Sequence, residues 1–154
     1  MGDLVVAAVA LGSNLDDRAA HLNHAVFRLH ELLGNLRVSR FYDTVPVGAP
    51  GPQPLFLNAA AVGEAGMPAR DLLEALLAVE QERGRARPYP NAPRSLDLDI
   101  ILFGDTTIDE PGLIVPHPRF RERRFVLEPL AEIAPDMLDP ITGRTVSQLL
   151  KSAP

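Results

Sequence analysis

An α+β fold is what this chain predicts, on three observations. Short apolar runs at 4–11, 55–62 and 95–103 have the length and the valine, alanine and isoleucine content of strands. Between them, apolar residues recur at helical spacing in longer stretches punctuated by glycine and proline. At 154 residues and 46% hydrophobic, the chain is long enough for one buried core and short for two.

The elements follow in order. The run 4–11 ends at Gly12-Ser13-Asn14, predicting a strand and then a turn with a helix cap, a segment that also suits phosphate. Leu22, Ala25, Val26, Leu29, Leu32 and Leu33 then mark a helix, with Asp16 and Asp17 in its first turn and Gly34-Asn35 as its stop. Residues 36–44 read as a second strand, and 48–54, rich in glycine and proline, as a loop. After a third strand at 55–62, Pro68 opens a helix whose Leu72, Leu73, Leu76 and Val79 form an apolar face, closed by Gly84. The loop 88–93 leads into the strand 95–103; 125–133 is a short helix despite Pro129, and 145–150 a last helical turn. The order β-α-β-β-α-β is the ferredoxin-like pattern: an antiparallel sheet in an α/β/α layered single domain over 1–154.

Composition narrows the function. The absence of cysteine excludes a disulfide framework, a thiolate metal site and a cysteine nucleophile. The net charge of −5 argues against broad binding to nucleic acid or an anionic membrane. No apolar run approaches the roughly 18 residues of a membrane-spanning helix, and the first residues carry no basic leader, so the cytoplasm is the expected compartment. With Lys151 the only lysine, phosphate must be held by guanidinium groups, and a Walker-type loop is excluded.

Those guanidiniums are grouped. Arg83, Arg85, Arg87 and Arg94 precede the strand 95–103, and Arg119, Arg121, Arg123 and Arg124 follow it. Within the strand, Asp97 and Asp99 stand two apart among Leu96, Leu98, Ile100 and Leu102, so both carboxylates share one face while the even positions fill the other. Spacing alone suits a magnesium pair and a solvated strand face equally well. The flanking arginines favour a magnesium-nucleotide site, with carboxylates for the metal and guanidiniums for the phosphate charge. His117, held between Pro116 and Pro118, can bind phosphate, donate a proton or serve structure alone; Glu80 can face the arginines or form a surface salt bridge.

The segment Ala92-Pro93-Arg94-Ser95-Leu96-Asp97-Leu98-Asp99-Ile100-Ile101 resembles the signature of the 6-hydroxymethyl-7,8-dihydropterin pyrophosphokinases of folate synthesis. Leu11-Gly12-Ser13-Asn14-Leu15, Phe41-Tyr42-Asp43-Thr44, Phe56-Leu57-Asn58-Ala59-Ala60, Gly84-Arg85-Ala86-Arg87, Val115-Pro116-His117-Pro118 and Glu132-Ile133-Ala134-Pro135-Asp136 match further blocks in that family's order. The resemblance implies transfer of pyrophosphate from ATP to the pterin hydroxymethyl group, with AMP released. It implies Asp97 and Asp99 as ligands of two Mg2+ ions, and Arg85 and Arg94 as catalytic arginines on loops. Glu80, Arg87, His117 and Arg123 then lie near the nucleotide, and Thr44, Val45, Val47, Phe56, Asn58 and Phe125 around the pterin. Three positions depart from the family pattern: Asn91 stands where an aromatic is common, with Tyr89 close by, Val45 where proline is common, and Pro118 where tyrosine occurs. The expected partners are ATP and the pterin, with no nucleic acid, membrane or obligate protein partner, in a monomer. A non-catalytic sensing domain and a metal-dependent phosphoesterase are the rival classes.

Overall fold

The computed structural model describes residues 3–45, 55–84 and 95–154. Strands β1 (Val5–Ser13), β2 (Gly34–Val38), β3 (Tyr42–Thr44), β4 (Phe56–Ala65) and β5 (Asp97–Phe103) form one sheet in the order β2-β4-β1-β5, with β3 also paired to β4. Each pairing is antiparallel. Strands β6 (Ile108–Glu110) and β7 (Leu113–Val115) make a separate hairpin. Helices α1 (Arg18–Leu32), α2 (Ala69–Glu82), α3 (Arg124–Ile133) and α4 (Val146–Ser152) and a 3-10 turn (Phe120–Glu122) complete the described elements. The mixed helix and antiparallel-sheet composition agrees with the sequence expectation.

Alternation along β1 divides the core between two faces. Ala7, Val9 and Leu11 pack with Leu22, Ala25 and Leu29 of α1 and with Leu72, Leu76 and Val79 of α2. Ala8 faces the other way and joins Ala60, Val62, Val126, Leu127 and Leu130, together with Val146 and Leu149 of α4. Each of these buried leucines contributes about 1.5–3 kcal/mol relative to exposure. Alanines at the sheet centre keep that surface low. Pro129 forfeits a main-chain bond within α3, but the buried Val126, Leu127 and Leu130 hold the helix to the sheet.

One irregularity decides where the carboxylates point. The β1–β5 register shifts between Ala8 and Val9, which pair with Leu102 and Ile100 and leave Ile101 extra. Ile101 and Leu102 therefore both enter the α3 side, while Phe103 returns to the α1 side. The sequence expectation placed Leu102 opposite the aspartates; the bulge puts it on their face.

Other boundaries also move. Gly12 and Ser13 extend β1 instead of turning, because both lie in its ladder with β4. Asp17 is the cap of α1, accepting from the Ala20 amide, and Asp16 lies outside the helix at φ 60°, so neither acid sits in the first turn. Gly34 begins β2 instead of merely ending α1. The expected strand 36–44 is two strands, because between them the Ser39 hydroxyl, not a backbone carbonyl, accepts the Ala60 amide at 2.9 Å. The strands β6 and β7 and the 3-10 turn Phe120–Glu122 were not expected.

That turn is tied to the C-terminal segment. Arg121 donates to the Asp139 carboxylate from Nε at 2.6 Å and from Nη2 at 2.9 Å. The Thr142 hydroxyl at 2.7 Å and the Ile141 amide at 3.0 Å complete the shell of this fully buried acid. Burial raises its pKa, but the Arg121, Thr142 and Ile141 donors outweigh that and hold it at about 2, against 3.8 for an ordinary Asp. The stabilisation is therefore complete above 3.8 and is lost as pH falls through about 2. Asp139→Ala, which leaves Arg121 without its partner, is expected to cost about 3 kcal/mol at neutral pH in urea unfolding. The difference from the parent should narrow as acid is added; equal stability at neutral pH contradicts the assignment.

Candidate active site

Cross-strand partners share a sheet face, so the register assembles a row. Asn58 of β4 pairs with Gly12 of β1, and Gly12 with Asp97 of β5. Ala10 pairs with Asp99, and Phe56, on the face of Asn58, with Thr44 of β3. Leu98 and Ile100 enter the α1 side, leaving Asp97 and Asp99 half-buried on the α3 side. Helices α3 and α4 bury the Ala8, Val62 and Leu102 end of that face, and the row through Gly12 lies beyond that cluster.

Buried polar groups fix the row from behind. Strand β5 is a sheet edge, and Glu80, 2% exposed on α2, accepts the Leu98 amide at 2.7 Å between the two aspartates. The end of α2 is clasped to α1: His24 contacts Glu82 at 2.7 Å, Arg28 donates to Glu82 at 3.1 Å, and Arg83 donates to His21 Nδ1 at 2.9 Å. On the opposite edge, Glu132 of α3 accepts the Arg40 amide at 2.9 Å and the Tyr42 hydroxyl, locking β3. Arg18 donates to Asp43 at 2.8 Å and to the Leu55 carbonyl at 2.7 Å, joining the start of β4 to β3. Thr44 so held accepts from Asn58 Nδ2, and Asn58 is only 6% exposed.

The segment after β7 forms a wall. The His117 amide donates to the Ile101 carbonyl at 3.0 Å, and the Arg119 amide donates to His117 Nδ1 at 3.1 Å, so the neutral ring carries its proton on Nε2. Burial, then the Arg123 charge, lowers the His117 pKa to about 4 despite Asp97. The Arg123 guanidinium lies 5.5 Å over the Phe125 ring. With Thr44 and Arg119 these two line a groove of about 440 Å³. The second basic group thus divides: Arg121 serves Asp139, while Arg119, Arg123 and Arg124 line the groove, Arg124 paired with Glu128 at 3.2 Å.

The sequence reading missed a second cleft. Leu73, Ile100, Gly112, Ile114 and Pro118 surround about 220 Å³ beside Asp99 and His117. Hairpin β6–β7 supplies Gly112 at φ 78°, and Pro111-Gly112 ahead of the apolar Leu113-Ile114-Val115 was the available signal. Of the residues expected in the site, Val45 is 74% exposed just beyond β3. Arg85, Arg87, Arg94 and Val47, like Tyr89 and Asn91, lie outside the described residues.

The donor set fits magnesium. Asp97 and Asp99 offer hard oxygens from one strand face, and among the described residues no cluster of three or more His, Asp or Glu forms a closed cage. Magnesium habitually completes its shell with water and substrate phosphate. For the ligand-free protein, an NMR titration of His117 is expected to give a pKa of about 4. Because the unfolded ring protonates near 6.5, His117 costs the native state stability as pH falls from 6.5 towards 4. A titration near 6.5 contradicts the burial argument.

Comparison with known proteins gives a consistent answer. The family model described as 7,8-dihydro-6-hydroxymethylpterin-pyrophosphokinase matches residues 8–135. A 2-amino-4-hydroxy-6-hydroxymethyldihydropteridine pyrophosphokinase of Pseudomonas aeruginosa is 43% identical over 148 residues, covering 95% of this chain and 90% of its own. The Bacillus subtilis protein of the same name is 42% identical over 145 residues, covering 93% and 86%. In structure, wild-type Plasmodium falciparum HPPK-DHPS superposes with a TM-score of 0.77 at 14% identity. That match covers 98% of this chain and 45% of the Plasmodium chain, and it bears on the fold alone. The chain belongs to the 7,8-dihydro-6-hydroxymethylpterin-pyrophosphokinase family.

Proposed function

We propose that the face bearing Asn58, Gly12, Asp97 and Asp99 is where this chain transfers pyrophosphate from ATP to the hydroxymethyl group of 6-hydroxymethyl-7,8-dihydropterin. The chain is an ATP-dependent diphosphotransferase of folate biosynthesis, and ATP is its co-substrate. The observation that carries the assignment of roles is the register. It sets a carboxylate pair suited to magnesium and an amide suited to a flat polar ring on either side of one glycine.

Each side chain then has a task. Asn58 and Thr44 read the pterin edge, and the Phe56 and Phe125 rings cover its faces. Val45 and Val47 keep the pterin roles implied by resemblance. His117 offers Nε2–H to a phosphate oxygen as a neutral donor, and Arg123 adds positive charge beside it. Glu80 positions β5 from behind and thereby orients both aspartates. The apolar cleft at Leu73, Ile100 and Ile114 suits the nucleotide base. Arg85, Arg87 and Arg94 keep the phosphate roles implied by resemblance. Asp97 and Asp99 hold magnesium, inferred as two ions, which when bound neutralises triphosphate charge. The pterin hydroxymethyl oxygen attacks the β-phosphorus, the bond to the α,β-bridging oxygen breaks, AMP departs and the hydroxyl proton is lost. Positioning and preorganised charge supply most of the rate.

The order β5-β1-β4-β2, with α1 and α2 on one face, supports a ferredoxin-like core within an α/β/α layered single domain over 1–154. The chain acts as a cytoplasmic monomer. No helix among the described residues is long and apolar enough to cross a membrane.

Asp97→Ala or Asp99→Ala is expected to lower turnover at least about a thousandfold while circular dichroism and unfolding stay near those of the parent. In the parent, AMP should appear from ATP only when the pterin is added. Unchanged turnover in either variant contradicts the metal assignment, and nucleotide hydrolysis independent of pterin favours a phosphoesterase.

A further inference from the structure

Gly12 stands between Asn58 and Asp97 near the end of β1, still paired on both sides, and glycine within a strand weakens it. Its backbone does not demand glycine, since it is not among the positive-φ residues. Space does. A Cβ at this position would lie 3.1 Å from Asn58 Oδ1 and 3.6 Å from the Phe56 ring. Asn58 has little room to retreat, being 6% exposed with its Nδ2 committed to Thr44 Oγ1. One step along the same face the sheet accepts a methyl group: Ala10 sits opposite Ala60 and Asp99.

We infer that Gly12 is a positioning residue for pterin recognition: its missing side chain lets the Asn58 amide hold the orientation that reads the ring edge. The inference rests on the assignment of the ring to the Thr44, Phe56 and Asn58 pocket. A methyl group at 12 turns Oδ1 away from the ring and selects against the pterin. The nucleotide, on the His117 side of the aspartates, is little affected.

The test is a double-mutant cycle on binding. 6-Hydroxymethylpterin is titrated, with saturating α,β-methylene-ATP and magnesium, into the parent, Gly12→Ala, Asn58→Ala and the double variant. Nucleotide affinity and Tm are measured alongside. Gly12→Ala is expected to raise the pterin Kd about tenfold and to leave the nucleotide Kd within about twofold. Added to Asn58→Ala, it should cost nothing further. Parental pterin affinity in Gly12→Ala overturns the inference, as does an equal loss in the Asn58→Ala background, because the effect then does not run through Asn58. Should Gly12→Ala fail to fold, a folded double variant supports the clash and an unfolded one overturns it. Parental pterin affinity in Asn58→Ala overturns the pocket assignment itself, and the inference with it.

Discussion

Everything proposed for this chain depends on how β1 is paired to β4 on one side and β5 on the other. Backbone hydrogen bonds set that register, and cross-strand partners then share a face without further instruction. Asn58, Gly12 and Asp97 are far apart in sequence and adjacent in space for this reason alone. The bulge at Ile101 adds a second requirement. It lets the α3 side of β5 carry Asp97 and Asp99 at one end and Ile101 and Leu102 at the other, so one face is polar near Gly12 and apolar where α3 and α4 seat.

Charge is divided between holding the frame and serving the site. Arg121 and Asp139 join the turn after His117 to the C-terminal segment, steadying the wall that carries Arg123 and Phe125. Glu132 locks β3 from α3, and Glu80 locks β5 from α2. The two carboxylates thus secure opposite edges of the sheet, and the groups that face the cleft lie between them.

Much of this was legible in the sequence. The alternation of Leu96, Asp97, Leu98, Asp99 and Ile100 is a half-buried strand with both acids on one face, as found. Parity failed at Leu102, because a bulge depends on the partner strand and leaves little local mark. The strand expected at 36–44 broke because the Ser39 hydroxyl stands in for a backbone acceptor, which composition does not reveal. Arg121 and Arg123 look equivalent in sequence. Only the fold brings Asp139, 18 residues away, to the first of them. The β6–β7 hairpin went unseen because three-residue strands carry too little periodicity, and with it went the cleft beside Asp99.

In the proposed site the cation and the pterin-reading amide meet across Gly12. Manganese(II) added with α,β-methylene-ATP to isotopically labelled protein reports this through paramagnetic broadening. Val6 lies six residues from Gly12 along β1, roughly 20 Å away at strand rise. The steepest broadening is expected at Gly12, Leu98 and the Asn58 side-chain amide, falling along β1 towards Val6. Strongest broadening at the far end, around Val6, Gly104 and Asp105, would contradict it.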